Sequence, residues 1–257
     1  MRELAARVLL SSAGIALLLL LWEFGVAFKW VNPALLPAPS ETAVSLAGLL
    51  GSGDFAAPLF ATLSLLALGY LLACVLAIGV GLLMGRSQRA FCLLEPLVEA
   101  VRPIPKPALI PIFFLFMGPG LPMNVTMVAL AAFFPILINT LQGVRGVDRV
   151  LLDTARTLGL PASTVICKIV LPAALPMILA GMRVSLGLGL VLVILAEMLE
   201  ADSGIGFQVL DLQRSFQVKQ MYSWIFILAF LGLSLNAVFE WFERRAVPWG
   251  ARGSTRF

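Results

Sequence analysis

Charge-free stretches divide the chain. Phe55 to Gly85, Pro107 to Val144 and Gln220 to Phe239 contain no Asp, Glu, Lys or Arg. Each is long enough to hold an apolar helix of about 20 residues, the length that crosses a bilayer. The second is too long for one such helix. Gly118-Pro119-Gly120-Leu121-Pro122 interrupts it with residues that favour a turn, so it reads as a helical hairpin. Two further stretches are apolar apart from isolated charges: Val8 to Phe28 carries Glu23, and Val170 to Leu199 carries Arg183 and Glu197. A third helix is expected between Glu95 and Met117, with Glu99, Arg102 and Lys106 among three prolines in its first half. The pattern predicts an all-α polytopic membrane protein, one domain over 1–257, with helices at 8–28, 62–85, 96–117, 123–142, 174–199 and 220–242.

Composition agrees and narrows the function classes. The chain is 60% hydrophobic and 12% charged, with a mean hydropathy of +1.00, against about 25% charged in a soluble domain. A soluble enzyme, a disordered chain and a nucleic-acid binder are all excluded by that balance. Cys74, Cys92 and Cys167 show no C-x-x-C spacing, and histidine is absent. The commonest metal ligand and the commonest general base are therefore missing, so no catalytic and no metal-binding residue is assigned. A cleaved signal peptide is the alternative for the first segment, with Arg2 and Arg7 as its basic start. Its apolar stretch is long for that role and no clear A-x-A site follows, which favours an uncleaved helix.

The net charge of +4 has meaning only by position. With both termini inside, the inner segments hold Arg2, Arg7, Arg86, Arg89, Arg145, Arg149, Arg156, Lys168, Arg244, Arg245, Arg252 and Arg256, and the outer ones only Lys29, Arg214 and Lys219. That asymmetry sets orientation in a membrane. Trp22 and Trp30, and Tyr222 and Trp224, are expected at outer boundaries, with Trp241 and Trp249 at the inner one. Ala77, Gly81 and Gly85, and again Gly181, Ser185 and Gly189, recur every fourth residue. Such stripes let another helix approach closely; packing within the subunit, a dimer seam and a moving gate all remain open.

The most informative segment is polar. Between the fourth and fifth helices lies a loop of about 30 residues, 143–173, long enough to carry structure or function of its own. Val150, Leu151, Thr154, Ala155 and Leu158 recur at helical spacing, and Gly159-Leu160-Pro161 ends that helix. A second turn is expected from Ala162 to Ile169, with Leu171-Pro172 breaking the chain before the fifth span. A helix–turn–helix on the inner membrane face can dock a partner or lie on lipid.

Asp153-Thr154-Ala155-x3-Gly159, nine residues, then Ile169-x-Leu171-Pro172, resembles the E-A-A-x3-G-x9-I-x-L-P loop of binding-protein-dependent ABC importer permeases. Asp replaces Glu and Thr replaces Ala; the spacing matches throughout. Arg102-Pro103-Ile104-Pro105-x-x-Ala108-Leu109-Ile110-Pro111, Phe116-Met117-Gly118, Phe134-Pro135-Ile136-x-Ile138-Asn139-Thr140, Gly181-Met182-Arg183-Val184, Ala196-Glu197 and Ser203-Gly204-Ile205-Gly206 are similar to the nitrate/sulfonate/taurine branch. Lys106 departs from that branch, which commonly has a neutral residue there.

The resemblance implies a type I (MetI-like) importer half with six transmembrane helices in a bacterial inner membrane. Two copies would form the pathway, separate ABC ATPase subunits would carry ATP and Mg, and a soluble substrate-binding protein would deliver the solute. The chain's own G-x-x-x-x-G-K-[ST] phosphate loop is missing, so no cofactor is assigned to it. Asp153, Thr154, Ala155, Leu158, Gly159, Pro161, Ile169, Leu171 and Pro172 would then couple to the ATPase. Asn139, Thr140, Arg183, Ser185 and Glu197 are the pathway or gate candidates. Asn139, Thr140 and Ser185 are weighed against helix packing, and Arg183 against snorkelling. Glu197 is expected to fix the outer gate through hydrogen bonds, since it would repel an anion. Arg183 and Glu197 lie about 21 Å apart along one helix and cannot pair. Asp202, Ser203 and Gly204 would meet the binding protein. The implied cargo is a small anion, with an uncharged solute such as a pyrimidine precursor as the alternative. An ion-coupled secondary transporter is the rival class; it predicts duplicated halves and midplane carboxylates.

Overall fold

The structure, a computed structural model, describes residues 2–200 and 202–249, with side chains described from Ala13 onward apart from Ile15 and Glu200. Those residues form helices and connecting turns: α1 (Arg2–Ala27), α2 (Pro39–Ser52), α3 (Ala56–Arg86), α4 (Gln88–Val101), a 3-10 turn (Lys106–Leu109) leading into α5 (Ile110–Met117), α6 (Leu121–Arg145), α7 (Arg149–Thr157), α8 (Ala162–Val165), a π turn (Ile166–Val170) leading into α9 (Leu171–Glu200), α10 (Ile205–Arg214) and α11 (Val218–Ala246).

The core is a three-helix layer with α6 between α3 and α9. Buried residues occur along α6 from Met123 to Val144, and Met123, Val128, Ala132, Ile136 and Leu137 have no solvent exposure. In lipid, apolar burial by itself does not drive helices together, so close van der Waals approach must. Small residues provide it. A Cβ at Gly81 would lie 2.7 Å from Thr140 Cβ, and one at Gly181 would lie 2.6 Å from Asn139 Cβ. Both small-residue stripes thus face α6 at these positions and pack within one subunit. Around this layer, α11 packs against α2, α9 and α10.

Four helices among the described residues are long and apolar enough to cross a membrane: 56–86, 121–145, 162–199 and 218–246. A fifth is added if α4 and the segment Lys106–Met117, bent by 89° at their break, count as one span. Within α1 the apolar stretch Ala16–Ala27 is shorter than a span.

Three expectations are corrected. The helix expected at 96–117 is replaced by this right-angled break, because Pro103, Pro105 and Pro107 lack backbone donors and the backbone at Pro105 is extended, so no helical ladder runs from α4 into α5. Leu171-Pro172 does not interrupt the fifth span. The π turn just before it bonds Leu171 N–H to Ile166 C=O, and this wider turn absorbs the missing proline donor so that the helix runs on. The stretch between the expected helices 174–199 and 220–242 holds a further helix, α10, of ten residues. The helix α2 also escaped prediction.

The aromatic residues expected at the boundaries differ in their packing. Trp22 lies 6.2 Å from Tyr222, and Trp241 and Trp249 are exposed. Trp224 instead points inward, 4% exposed, against Ile205, Ile227 and Leu231. Arg252 and Arg256 of the inner-face count lie outside the described residues, as do the side chains of Arg2 and Arg7.

Candidate functional site

The polar loop folds as a short lever. Asp148 caps α7, its Oδ1 accepting Val150 N–H at 2.9 Å. At the other end Leu160 N–H donates to Ala155 C=O at 3.1 Å and Gly159 N–H to Arg156 C=O at 3.0 Å. With Gly159 at φ +64°, this is a complete Schellman cap, which only a residue at ease in the left-handed region closes without strain. Pro161 then leads directly into α8.

One side of α7 is anchored. Ala155 is 1% exposed, and Leu152 packs with Val144, Val147, Val170 and Ala174, where α6 ends and α9 begins. Ile169 and Leu171 join the same cluster. The other side is open: Val150, Leu151 and Leu158 are exposed, as are Asp153, Thr154, Gly159 and Pro161. Asp153 pairs with Arg156 at 2.9 Å, and Thr154 Oγ1 donates to Val150 C=O at 2.7 Å. Both local bonds stiffen the helix and leave its apolar residues outward. Pro172 lies half-buried behind the loop, at the start of α9.

The charges inside the bundle have separate partners. Glu197, 2% exposed, accepts Thr62 Oγ1–H at 2.8 Å and Gly206 N–H at 2.9 Å. Thr62 Oγ1 in turn accepts Ile205 N–H at 2.9 Å. The first two amides of α10 are thus satisfied by α3 and α9, and the three helices are pinned at one point. The glycines of Ser203-Gly204-Ile205-Gly206 follow from this. Gly204 has φ +111°, and a Cβ there would collide with the Glu197 carboxylate; one at Gly206 would lie 2.9 Å from Glu197 Cβ. Gly204 is therefore buried beneath the surface, while Asp202 and Ser203 are exposed.

Arg183 is held by α11. Its Nε donates to Asn236 Oδ1 at 3.1 Å, and its terminal nitrogens lie 3.4 Å from Glu240 and 3.6 Å from Glu243. Glu240 also pairs with Arg244, so two carboxylates balance two guanidiniums and leave no surplus charge for a passing anion. Asn139 Nδ2 donates to Pro135 C=O at 2.8 Å within α6, so its amide is tied to its own helix. Ser185 donates to Met182 C=O at 2.8 Å, and Thr140 is buried against Gly81 with no hydrogen-bond partner for its Oγ1. These three polar groups sit at helix contacts.

Several functional neighbours were invisible to sequence patterning. Thr62 is an isolated hydroxyl in an apolar run, and Asn236, Glu240 and Glu243 lie more than fifty residues from Arg183. The i,i+4 spacing of Asn236 and Glu240 on one helix face was the available signal.

Family comparison decides what such a lever serves. Residues 77–248 match the family described as the binding-protein-dependent transport system inner membrane component. The chain belongs to that family. The aliphatic sulfonates transport permease SsuC of Bacillus subtilis is 33% identical over 91% of this chain and 85% of its own. The taurine transport system permease TauC of Escherichia coli is 30% identical over 96% and 91%. The nitrate import permease NrtB of Leptolyngbya laminosa is 32% identical over 73% and 67%. Among solved structures, the MetNI methionine ABC transporter in an inward-facing form superposes with a TM-score of 0.64 at 17% identity, over 74% of this chain and 94% of that one. The fold is that of a MetI-like ABC importer permease, and the chain is an inner-membrane permease component of an ABC transporter.

Proposed function

We propose that this permease carries a small anion, of the nitrate, sulfonate or taurine kind, inward through a pathway built by two copies of the chain. The relatives named for such solutes support the cargo. The energy comes from separate ATPase subunits, which bind ATP and Mg, and a soluble binding protein delivers the solute at the outer face. Both termini are cytoplasmic, as the Lys and Arg asymmetry requires. Lipid covers the outward apolar faces, such as Phe60 and Phe230.

The observation that carries the reading is the two-sided α7. Anchored by Leu152 and Ala155 and exposed at Val150, Leu151 and Leu158, it presents an apolar face to the cytoplasm and transmits any push to α6 and α9. A rigid helix with a defined end is what an alternating-access cycle needs at the motor contact. Asp202 and Ser203 stand exposed on the opposite side of the Glu197 pin, where the binding protein would seat.

The test is co-purification with the cognate ATPase. Leu151→Asp together with Leu158→Asp should abolish the complex without reducing membrane insertion, because neither side chain supports the fold. Retention of the complex by that double variant would refute α7 as the docking element.

A further inference from the structure

The break in the third span encloses a cation that the coupling scheme does not use. Lys106 Nζ donates to the carbonyls of Val101, Arg102 and Ile104 at 2.9, 3.0 and 3.0 Å, and it sits 4.4 Å from the centroid of the Phe134 ring. No carboxylate pairs with it among the described residues. It lines a cavity of about 460 Å³ with Arg102, Phe134, Ile138, Leu188 and Val191. Arg102 reaches the same cavity and spends one nitrogen on Glu99, 3.0 Å away. The two cations and one acid leave the cavity with a net positive charge.

Depth argues for a role in passage. Phe134 lies about 20 Å along α6 from Leu121 and about 17 Å from Arg145, and Leu188 and Val191 belong to the middle of α9. The cavity is therefore near the mid-depth of the membrane, out of reach of lipid headgroups. An unpaired cation there is expensive, and such residues face a cavity and serve a pathway. The lysine's three N–H bonds are filled by carbonyls, so it offers fixed charge. Arg102, with guanidinium donors to spare, offers hydrogen bonds. The walls of Phe134, Ile138, Leu188 and Val191 are apolar, so the two cations are the charges that a solute entering the cavity meets. A volume of this size accommodates a small solute.

We propose that this cavity is an anion-holding station on the translocation pathway, with Lys106 supplying the charge and Arg102 the directional contacts for an oxyanion. The inference rests on the anionic cargo proposed above. Its test uses proteoliposomes holding the permease, its ATPase and its binding protein, with labelled nitrate and butanesulfonate as probes. Solute moved per ATP hydrolysed is read for wild type, Lys106→Gln, Lys106→Arg and Arg102→Gln. The station predicts that Lys106→Gln lowers this ratio at least tenfold, that Lys106→Arg keeps it within threefold of wild type, and that Arg102→Gln lies between. An unchanged ratio in Lys106→Gln overturns the station. So does a proportional fall of uptake and hydrolysis, which would mark the lysine as a staple for the bend alone. Failure of wild type to move either probe would instead overturn the anionic reading of the cargo.

Discussion

At the scale of single residues, the bundle depends on a few buried polar atoms whose partners are fixed by the fold. Glu197 is buried in an apolar setting and is tolerable because Thr62 and Gly206 donate to it. Thr62→Val removes one donor to the carboxylate and strands Ile205 N–H. The cost of such stranded buried groups is about 1–3 kcal/mol, read as a lower melting temperature of the purified protein in detergent. Gly204→Ala should be worse, since it combines a left-handed backbone with a collision on Glu197. We expect a loss of about 3 kcal/mol or more, while alanine at the exposed Ser203 should leave the melting temperature unchanged.

At the scale of elements, what was legible in the sequence were the segments whose neighbours are local. The charge-free runs located α3, α6 and α11, and the spacing of Val150, Leu151, Thr154, Ala155 and Leu158 located α7 with its Gly159 stop. The glycine stripes foretold close approach but not the partner, which is α6 in both cases. What escaped depends on distant geometry. α4 and α2 have 14 residues each, so neither meets the length of a span. The 89° break at Arg102–Pro105 looked like the start of a straight helix, and the π turn before Pro172 has no sequence pattern of its own. Thr62 gave no hint that it would complete the Glu197 site. Two predictions belong at this level. Gly181→Leu would drive a side chain into Asn139 and Pro135 C=O, so α6 and α9 must separate; the permease should be lost from the membrane fraction or melt at a much lower temperature. Gly159→Val forces a β-branched residue into φ +64° and opens the Schellman cap. Its complex with the ATPase should still form while solute uptake per ATP falls several-fold in proteoliposomes; uptake equal to wild type would show that the lever needs no rigid end.

At the scale of the whole molecule, the polar features are spread along the bundle. At one end α7 is held to the bundle by Leu152 and Ala155. Between the ends lie the broken third span with Lys106 and the Arg183 cluster, which ties α9 to α11. At the other end the Glu197 pin locks α10 onto α3 and α9. Under the proposed function, a push on α7 would enter both α6 and α9 through the Val144, Val170 and Ala174 cluster. The proposed function requires that this chain moves solute only when a separate ATPase works on it. The direct measurement is solute uptake by proteoliposomes containing the permease with and without its ATPase and binding protein, under ATP or under an imposed ion gradient. The account predicts uptake only with all components and internal or external ATP at the nucleotide-binding side. Uptake by the permease alone, driven by the ion gradient, would contradict it.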